Sequence, residues 1–207
     1  MRAQALCGRR VGELANAFGV PLSADGRRTK GLIGQLVERA LGADPLAGDG
    51  PDFSGLEVEL KTVPIGPHGR PAESTFVCSI DLDGIADERW EASRLRRRLQ
   101  HVLWIPVDAA RIAPLPQRKL GPARLWIPTP GEWQALRSDW ELLVGMIGAG
   151  DLERLTAHQG RCLQVRPKAA HSRVRRWAPG ADGPQQGAPV GFYLRSRFTA
   201  GILRSPL

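Results

Sequence analysis

Pro51-Asp52-Phe53-Ser54-Gly55-Leu56-Glu57-Val58-Glu59-Leu60-Lys61-Thr62 is the stretch from which the rest of the chain can be read. From residue 56 to 63 apolar and polar residues alternate. Leu56, Val58 and Leu60 point one way and Glu57, Glu59 and Lys61 the other, which predicts a strand with one apolar face. Glu59 and Lys61 then share a face, roughly 7 Å apart along the chain. Asp52 comes from the preceding turn, where Ser54-Gly55 lets the chain bend. Both carboxylates can converge on one divalent ion, with the backbone carbonyl of Leu60 as a third oxygen. Hard oxygen ligands suit Mg²⁺, which keeps several waters when protein-bound. A metal there lowers the pKa of a bound water and neutralises charge on a phosphate. Lys61 can position or deprotonate that water, or stabilise the transition state. This D-x6-E-x-K spacing is one form of the metal-dependent nuclease signature. It is equally the pattern of a solvated strand face carrying cross-strand ion pairs, and Glu57 reads as ordinary solvated charge.

Upstream, Leu32, Ile33, Leu36, Val37, Ala40 and Leu41 recur at helical spacing, with Thr29 as N-cap and Gly42 as stop, so residues 30–41 form an amphipathic helix. Glu38 lies at the edge of its apolar stripe, one turn from Gly34. It is either a third carboxylate for the metal site or a surface glutamate. Lys30, at the helix start, is poorly placed for the helix dipole, which hints at a phosphate partner. An earlier helix is expected over 3–18.

Downstream, residues 75–80 read as a second strand that forms a hairpin with the first through the turn at 64–71. Residues 88–100 form a helix carrying Arg94, Arg96, Arg97 and Arg98, and strands follow at 101–107 and 125–127. A helix over 131–148 places Trp133, Leu136, Trp140, Leu143, Val144 and Ile147 on one broad face. Residues 162–165 are a short strand. The Gly- and Pro-rich segment 178–191 is a mobile loop, and 191–197 returns to ordered chain.

The chain has 207 residues, 42% hydrophobic and 24% charged, enough for one substantial core or two small lobes. No apolar run approaches bilayer length, and the N-terminal residues lack a signal-peptide apolar region, so a cytoplasmic protein with no membrane partner is expected. Cys7, Cys78 and Cys162 are too scattered for a disulfide framework or a zinc ribbon, and each is expected to be a buried small apolar residue. Net charge is +8, of which residues 151–207 supply +7, with ten Lys/Arg against three Asp/Glu. Such an imbalance fits a polyanion partner, DNA or RNA foremost, or a solubilising surface.

Several separately spaced blocks in one order carry a further signal. They are Lys30-Gly31-Leu32-Ile33-Gly34-Gln35-Leu36-Val37-Glu38, then Asp52-Phe53 through Glu59-Leu60-Lys61-Thr62-Val63-Pro64, then Glu73-Ser74-Thr75-Phe76-Val77-Cys78. Val102-Leu103-Trp104-Ile105-Pro106-Val107, Leu163-Gln164-Val165-Arg166-Pro167-Lys168-Ala169-Ala170 and Gly191-Phe192-Tyr193-Leu194 with Phe198-Thr199 follow. Over nearly its whole length the chain resembles the MutH family of methyl-directed mismatch-repair endonucleases. The resemblance implies an α/β fold (an α+β mixed sheet) of the restriction-endonuclease-like kind. It implies a single domain over 1–207, with two lobes flanking a DNA cleft: a catalytic one at about 1–88 and a recognition one at about 89–207.

The resemblance also implies a monomer that nicks the unmethylated strand of hemimethylated GATC duplexes with one or two Mg²⁺ ions, stimulated by a MutL-type activator. Asp52 and Glu59 become metal ligands, Lys61 the catalytic lysine and Glu38 an accessory acid. Arg166 and Lys168 fall where the family reads its site, and Tyr193 where it senses adenine methylation. Lys30, Phe76 and Arg98 join them as DNA-binding residues, with Phe76 either stacking on bases or packing in the core. Arg98 stands where the family tends to have lysine and His171 where asparagine is expected. Segment 178–191 departs from the family's loop. The rival readings are a type II restriction endonuclease cutting GATC whatever its methylation, and a catalytically silent DNA-binding module.

Overall fold

The computed structural model describes residues 2–22, 31–109, 113–151, 154–156, 158–168, 176–178, 185–187 and 189–204. The strands among them are β1 Glu59–Ile65, β2 Thr75–Ser79, β3 Val102–Asp108, β4 Arg124–Trp126, β5 Leu163–Pro167, β6 Arg176–Ala178, β7 Gln185–Gly187 and β8 Val190–Leu194. The helices are α1 Val11–Ala17, α2 Leu32–Leu41, α3 Arg94–Arg98, α4 Pro130–Gly148 and α5 Ser196–Arg204. The fold is mixed α/β with parallel and antiparallel strand pairs, in keeping with the restriction-endonuclease-like class.

Two compact units share the chain. The first takes Met1–Glu73, Gln100–Ile127 and Ala200–Leu207, the second Ser74–Leu99 and Pro128–Thr199. The units interleave in sequence, whereas the expected lobes meet once, near residue 88. The cause is visible in the pairing. β1 and β3 lie parallel, with Glu59 opposite Val102 and Lys61 opposite Trp104. Parallel neighbours need a long crossover, and here the crossover carries β2 and α3 into the second unit.

In the first unit the sheet runs β1-β3-β4. The apolar stripes of α1 and α2 cover it: Val11, Leu14, Leu36 and Val37 pack with Leu60, Ile105 and Val107. α2 begins at Gly31, in the left-handed region at φ 89°, and ends at Gly42, again left-handed at 78° and donating to the carbonyls of Glu38 and Arg39. The expected stop is therefore the observed one, while Lys30 lies outside the described residues. The single helix expected over 3–18 is instead a 3₁₀ turn, Gln4–Leu6, followed by α1. Between them Gly8 adopts φ 80°, which no helix accommodates.

In the second unit the sheet runs β2-β8-β5, all antiparallel. One face is the core. Leu163, Val165, Phe192 and Leu194 are buried there with Leu136, Leu143 and Ile147 of α4. α4 starts on a capping box in which Thr129 Oγ1 accepts from Glu132 N–H and the Glu132 carboxylate accepts from Thr129 N–H, with Pro130 in the first turn. Trp90 packs against Trp133 and Trp140 at centroid distances of 5.8 and 5.7 Å.

Five further expectations are corrected. The hairpin between β1 and β2 does not form, because β1 pairs with β3 and β2 with β8. β1 starts at Glu59, not 56, and lacks a single apolar face: adjacent Glu59 and Leu60 are both buried. The helix at 88–100 is broken at Ser93, whose hydroxyl caps α3 by accepting from Arg96 N–H, leaving a 3₁₀ turn Trp90–Ala92 before it. Within the segment read as a mobile loop, β7 pairs antiparallel with β6, and residues 179–184 and 188 lie outside the description, as does His171. Cys7 is exposed, whereas Cys78 and Cys162 are buried as expected. No described helix is long and apolar enough to cross a membrane.

Candidate active site

The sequence from 52 to 61 folds into its site through one local closure. Phe53 and Val58 exchange backbone hydrogen bonds at 3.0 and 3.3 Å, closing a four-residue loop. Ser54–Leu56 form a 3₁₀ turn, and Glu57 completes the reversal at φ 53°, the one left-handed non-glycine among the described residues. Leu56, expected on the apolar face, is 73% exposed at the loop tip. The reversal lays Asp52 beside β1, where its Oδ2 accepts from Leu60 N–H at 2.7 Å. Glu59 N–H donates the other way, to the carbonyl of His101, the residue just before β3, at 2.9 Å. Backbone groups alternate sides along a strand, so the N–H and carbonyl of Leu60 both face the Asp52 edge. The expected oxygen of Leu60 is thus on the same side as the Asp52 carboxylate.

Glu59 is 3% exposed, and its Oε1 accepts from Lys61 Nζ at 2.5 Å. The period of two that put them on one face holds, even though the strand begins later than the alternation suggests. Partial burial makes the pair interdependent: either charge alone would be stranded in a poorly solvated place.

Glu38 reaches the same place from α2. A Cβ on Gly34 would sit 3.7 Å from Glu38 Oε1 and 3.8 Å from Thr62 Oγ1, so the carboxylate folds back over Gly34 toward β1. Partial burial pushes the Glu38 carboxyl above its usual range, and the negative charges of Asp52 and Glu59 push it further, against a smaller opposing effect of Lys61. These four groups form one electrostatic cluster, with three acids against one lysine. That excess of negative charge fits a hard divalent cation. Among the described residues no three His, Cys, Asp or Glu side chains close into a ligand cluster. Two carboxylates and a backbone carbonyl, with water completing the shell, suit Mg²⁺ better than a metal that demands an all-protein cage.

The second unit gathers Phe76, Tyr193, Arg166 and Lys168 on the sheet face opposite its core. In register, Phe76, Tyr193 and Gln164 lie side by side across β2, β8 and β5, and Arg166 lies opposite Gly191. Lys168 continues the row, its N–H donating to the Pro189 carbonyl at 2.7 Å. Phe76 and Tyr193 meet edge to face at 5.3 Å. The guanidinium of Arg166 lies 5.9 Å from the Tyr193 ring centre, and the ammonium of Lys168 lies 5.2 Å from that of Phe76. Serines hold both cations: Arg166 Nη1 donates to Ser74 Oγ at 2.8 Å and Lys168 Nζ to Ser79 Oγ at 2.6 Å. Glycine at 191 is required, since a Cβ there would lie 2.9 Å from the Phe76 ring and 2.8 Å from the Cys78 carbonyl. Phe76 is therefore part of this surface and not of the core. Arg98 is half-buried in the last turn of α3, which packs against β2.

Asp139 escaped the sequence reading. It is 5% exposed, and its carboxylate accepts from the N–H groups of Arg161, Cys162 and Leu163 at 2.5–2.9 Å. It thereby fixes the turn that leads into β5. Gly160 completes that turn at φ 79°, where any Cβ would meet the Leu163 carbonyl. An acid between Leu136 and Leu143, on the buried stripe of α4, was the available signal.

The comparisons with known proteins extend well beyond these sites. The family described as DNA mismatch repair enzyme MutH matches residues 41–139, the stretch that holds Asp52, Glu59 and Lys61. The chain is 46% identical over 203 residues to the DNA mismatch repair protein MutH of Klebsiella pneumoniae (strain 342), covering 98% of this chain and 88% of that one. It is 45% identical to the protein of the same name from Yersinia enterocolitica and 46% identical to that from Escherichia coli O17:K52:H18, covering 98% of this chain and 89% of each relative. At that identity and coverage, the chain belongs to the MutH family of DNA mismatch repair proteins.

Proposed function

We propose that this chain is a Mg²⁺-dependent DNA endonuclease of mismatch repair that nicks the unmethylated strand at hemimethylated GATC sites. The observation that carries the reading is the cluster of Asp52, Glu59, Lys61 and Glu38 in one unit of a MutH-family chain. Asp52 and Glu59, with the Leu60 carbonyl, would hold one or two Mg²⁺ ions. When bound, the metal supplies a Lewis acid for the scissile phosphate and a more acidic water.

The protein's own groups do the rest. Lys61, tethered by Glu59, places a positive charge where the transferring phosphoryl group gains negative charge. Glu38, held protonated more readily than an ordinary glutamate, is suited to pass a proton at the edge of the site. Arg166 and Lys168 would donate to guanine O6 and N7 in the major groove, where the N6 of adenine also lies. Tyr193, beside them, would detect an added N6-methyl by contact. Lys30 and Arg98 would contact phosphate. A single active site per chain fits a monomer that nicks one strand, in the cytoplasm, under control of a MutL-type partner.

The test is a nicking assay on unmethylated, hemimethylated and fully methylated GATC duplexes, with and without Mg²⁺ and MutL. The expected result is Mg²⁺-dependent nicking of unmethylated strands only, accelerated by MutL. Cutting of both strands whatever the methylation would replace this reading with that of a restriction endonuclease. Binding without any nicking would replace it with that of a silent DNA-binding module.

A further inference from the structure

A cavity opens in the second unit. Its volume is about 260 Å³, and Ser74, Gln164, Arg166, Arg195, Ser196 and Arg197 line it. Three guanidiniums line it and, among the described residues, no carboxylate does. Two of them are fixed by carbonyls, which orient a guanidinium without cancelling its charge. Arg195 Nη1 donates to the carbonyls of Gln159 and Gly160 at 3.1 and 3.0 Å. Arg197 Nε and Nη2 donate to the Arg161 carbonyl at 3.3 and 3.2 Å. Each arginine has five N–H donors, so donors remain for a ligand.

Helix α5 begins at the same place. The Arg195 carbonyl accepts from Phe198 and Thr199 N–H at 2.9 and 3.1 Å, which makes Arg195 the residue before the first turn. Ser196 and Arg197 then carry N–H groups with no acceptor inside the helix, at its positive end. Gln164 points independently to a ligand. It is 7% exposed, lines the cavity, and its carboxamide has no hydrogen-bond partner among the described residues. That amide opens onto the cavity, where it can donate to a ligand oxygen in place of water.

We propose that this cavity seats one backbone phosphate of the DNA, held by Arg195, Arg197 and the first N–H groups of α5, with Gln164 donating to a phosphate oxygen. The proposal rests on the endonuclease reading. A nucleic-acid phosphate is favoured over a free anion because Arg166 forms one wall and also lies over Tyr193. A phosphate seat that shares a wall with base-reading groups fixes the register of the duplex without itself reading sequence.

The test measures equilibrium binding, without Mg²⁺, to GATC duplexes that each carry one neutral methylphosphonate. Wild type should lose affinity about tenfold at one particular phosphate. Arg197→Ala should bind the unmodified duplex about tenfold more weakly and be indifferent to neutralisation of that phosphate, while still losing affinity at the others. Its slope of log K against log salt should be shallower by about 0.9. Arg197→Lys should recover most of the affinity, and Gln164→Leu should weaken binding with an unchanged melting temperature. Wild-type affinity in Arg197→Ala would overturn the proposal, and is also the outcome expected if an acidic protein segment were the occupant. A penalty in Arg197→Ala that adds independently to every methylphosphonate would overturn it too. If wild type nicks GATC duplexes normally and only these results fail, the phosphate seat alone is wrong. If wild type neither binds nor nicks them, the endonuclease reading falls and takes the seat with it.

Discussion

The acid cluster of the first unit and the aromatic–cation face of the second are built on opposite plans. Three of the four members of the acid cluster lie within ten consecutive residues, and of its central pair Glu59 is buried and Lys61 half-buried. The second surface draws on segments around 76, 166 and 193, and its cations, Arg166 and Lys168, are exposed. A site for bond breaking needs few groups in fixed positions with little water, so one tight loop and one strand suffice. A surface for reading a long polymer needs breadth and access, which only a sheet can offer, and its residues meet only after the strands pair. The first should therefore fail abruptly when one charge is removed, and the second by degrees.

The steepest failure is expected at Glu59. Glu59→Gln keeps an acceptor for Lys61 but removes the charge, and nicking should fall by about 10³-fold or more while DNA affinity changes little. A nicking assay paired with equilibrium binding checks this; near wild-type rates would remove Glu59 from the catalytic set. Chelation of Mg²⁺ should stop wild-type nicking equally.

Next in size is a change with no direct role in chemistry. Asp139→Ala leaves three N–H groups, two of them buried, without their acceptor at the entrance to β5, and should cost about 3 kcal/mol of stability. Denaturant unfolding measures it. Because Gln164 and Arg166 lie on β5, DNA affinity of the still-folded variant should fall, while the acid cluster, built in the other unit, keeps its geometry. A variant equally impaired in nicking and binding by the same factor would support this division; one with intact binding and lost nicking would break it.

This contrast also explains what the sequence disclosed. Acid and lysine at i and i+2 share a face in any strand, so Glu59 and Lys61 were legible from periodicity alone. Glu38 was legible as a candidate because a helix edge above a glycine can approach a strand. The partner of β1 was not legible. A local hairpin with 75–80 and a parallel pairing with 102–108 satisfy the same hydrophobic pattern, and only the long crossover decides between them. The position of 56–58 was lost for a similar reason: alternation continues through a loop that a left-handed Glu57 has already turned. On the second surface, resemblance to the family supplied Phe76, Arg166, Lys168 and Tyr193, whereas composition and spacing offered no way to bring them together. Gln164 and Asp139 stayed hidden because a polar residue in an apolar stripe has no sequence mark that tells a structural group from a binding one.

A graded loss is expected at Tyr193. Tyr193→Ala removes the ring that Phe76 and Arg166 both approach. The ratio of nicking rates on hemimethylated and fully methylated duplexes should fall about tenfold, the scale at which a pocket distinguishes one methyl group. Nicking of unmethylated DNA should persist. An unchanged ratio would take methyl sensing away from Tyr193 and leave it a packing partner of Phe76.

The smallest effect separates the two units by their thiols. Cys7, in the first, is exposed, and Cys162, in the second, is buried beside Asp139. Burial pushes the Cys162 thiol up to about 11, and the Asp139 charge adds to the shift. Alkylation by iodoacetamide at pH 8 should modify Cys7 in the native protein and leave Cys162 untouched until the second unit unfolds, because only the thiolate reacts. The linkage has a definite sign. The folded state holds this proton more tightly than the unfolded state, so the contribution to stability is complete below about pH 9 and is lost as pH rises toward 11. Mass spectrometry of the labelled protein, repeated through a denaturant series, reads the opening of the turn at 160–163. Labelling of Cys162 at the rate of Cys7 under native conditions would mean that this turn opens freely, and that the face carrying Arg166 and Tyr193 is not held from behind by Asp139.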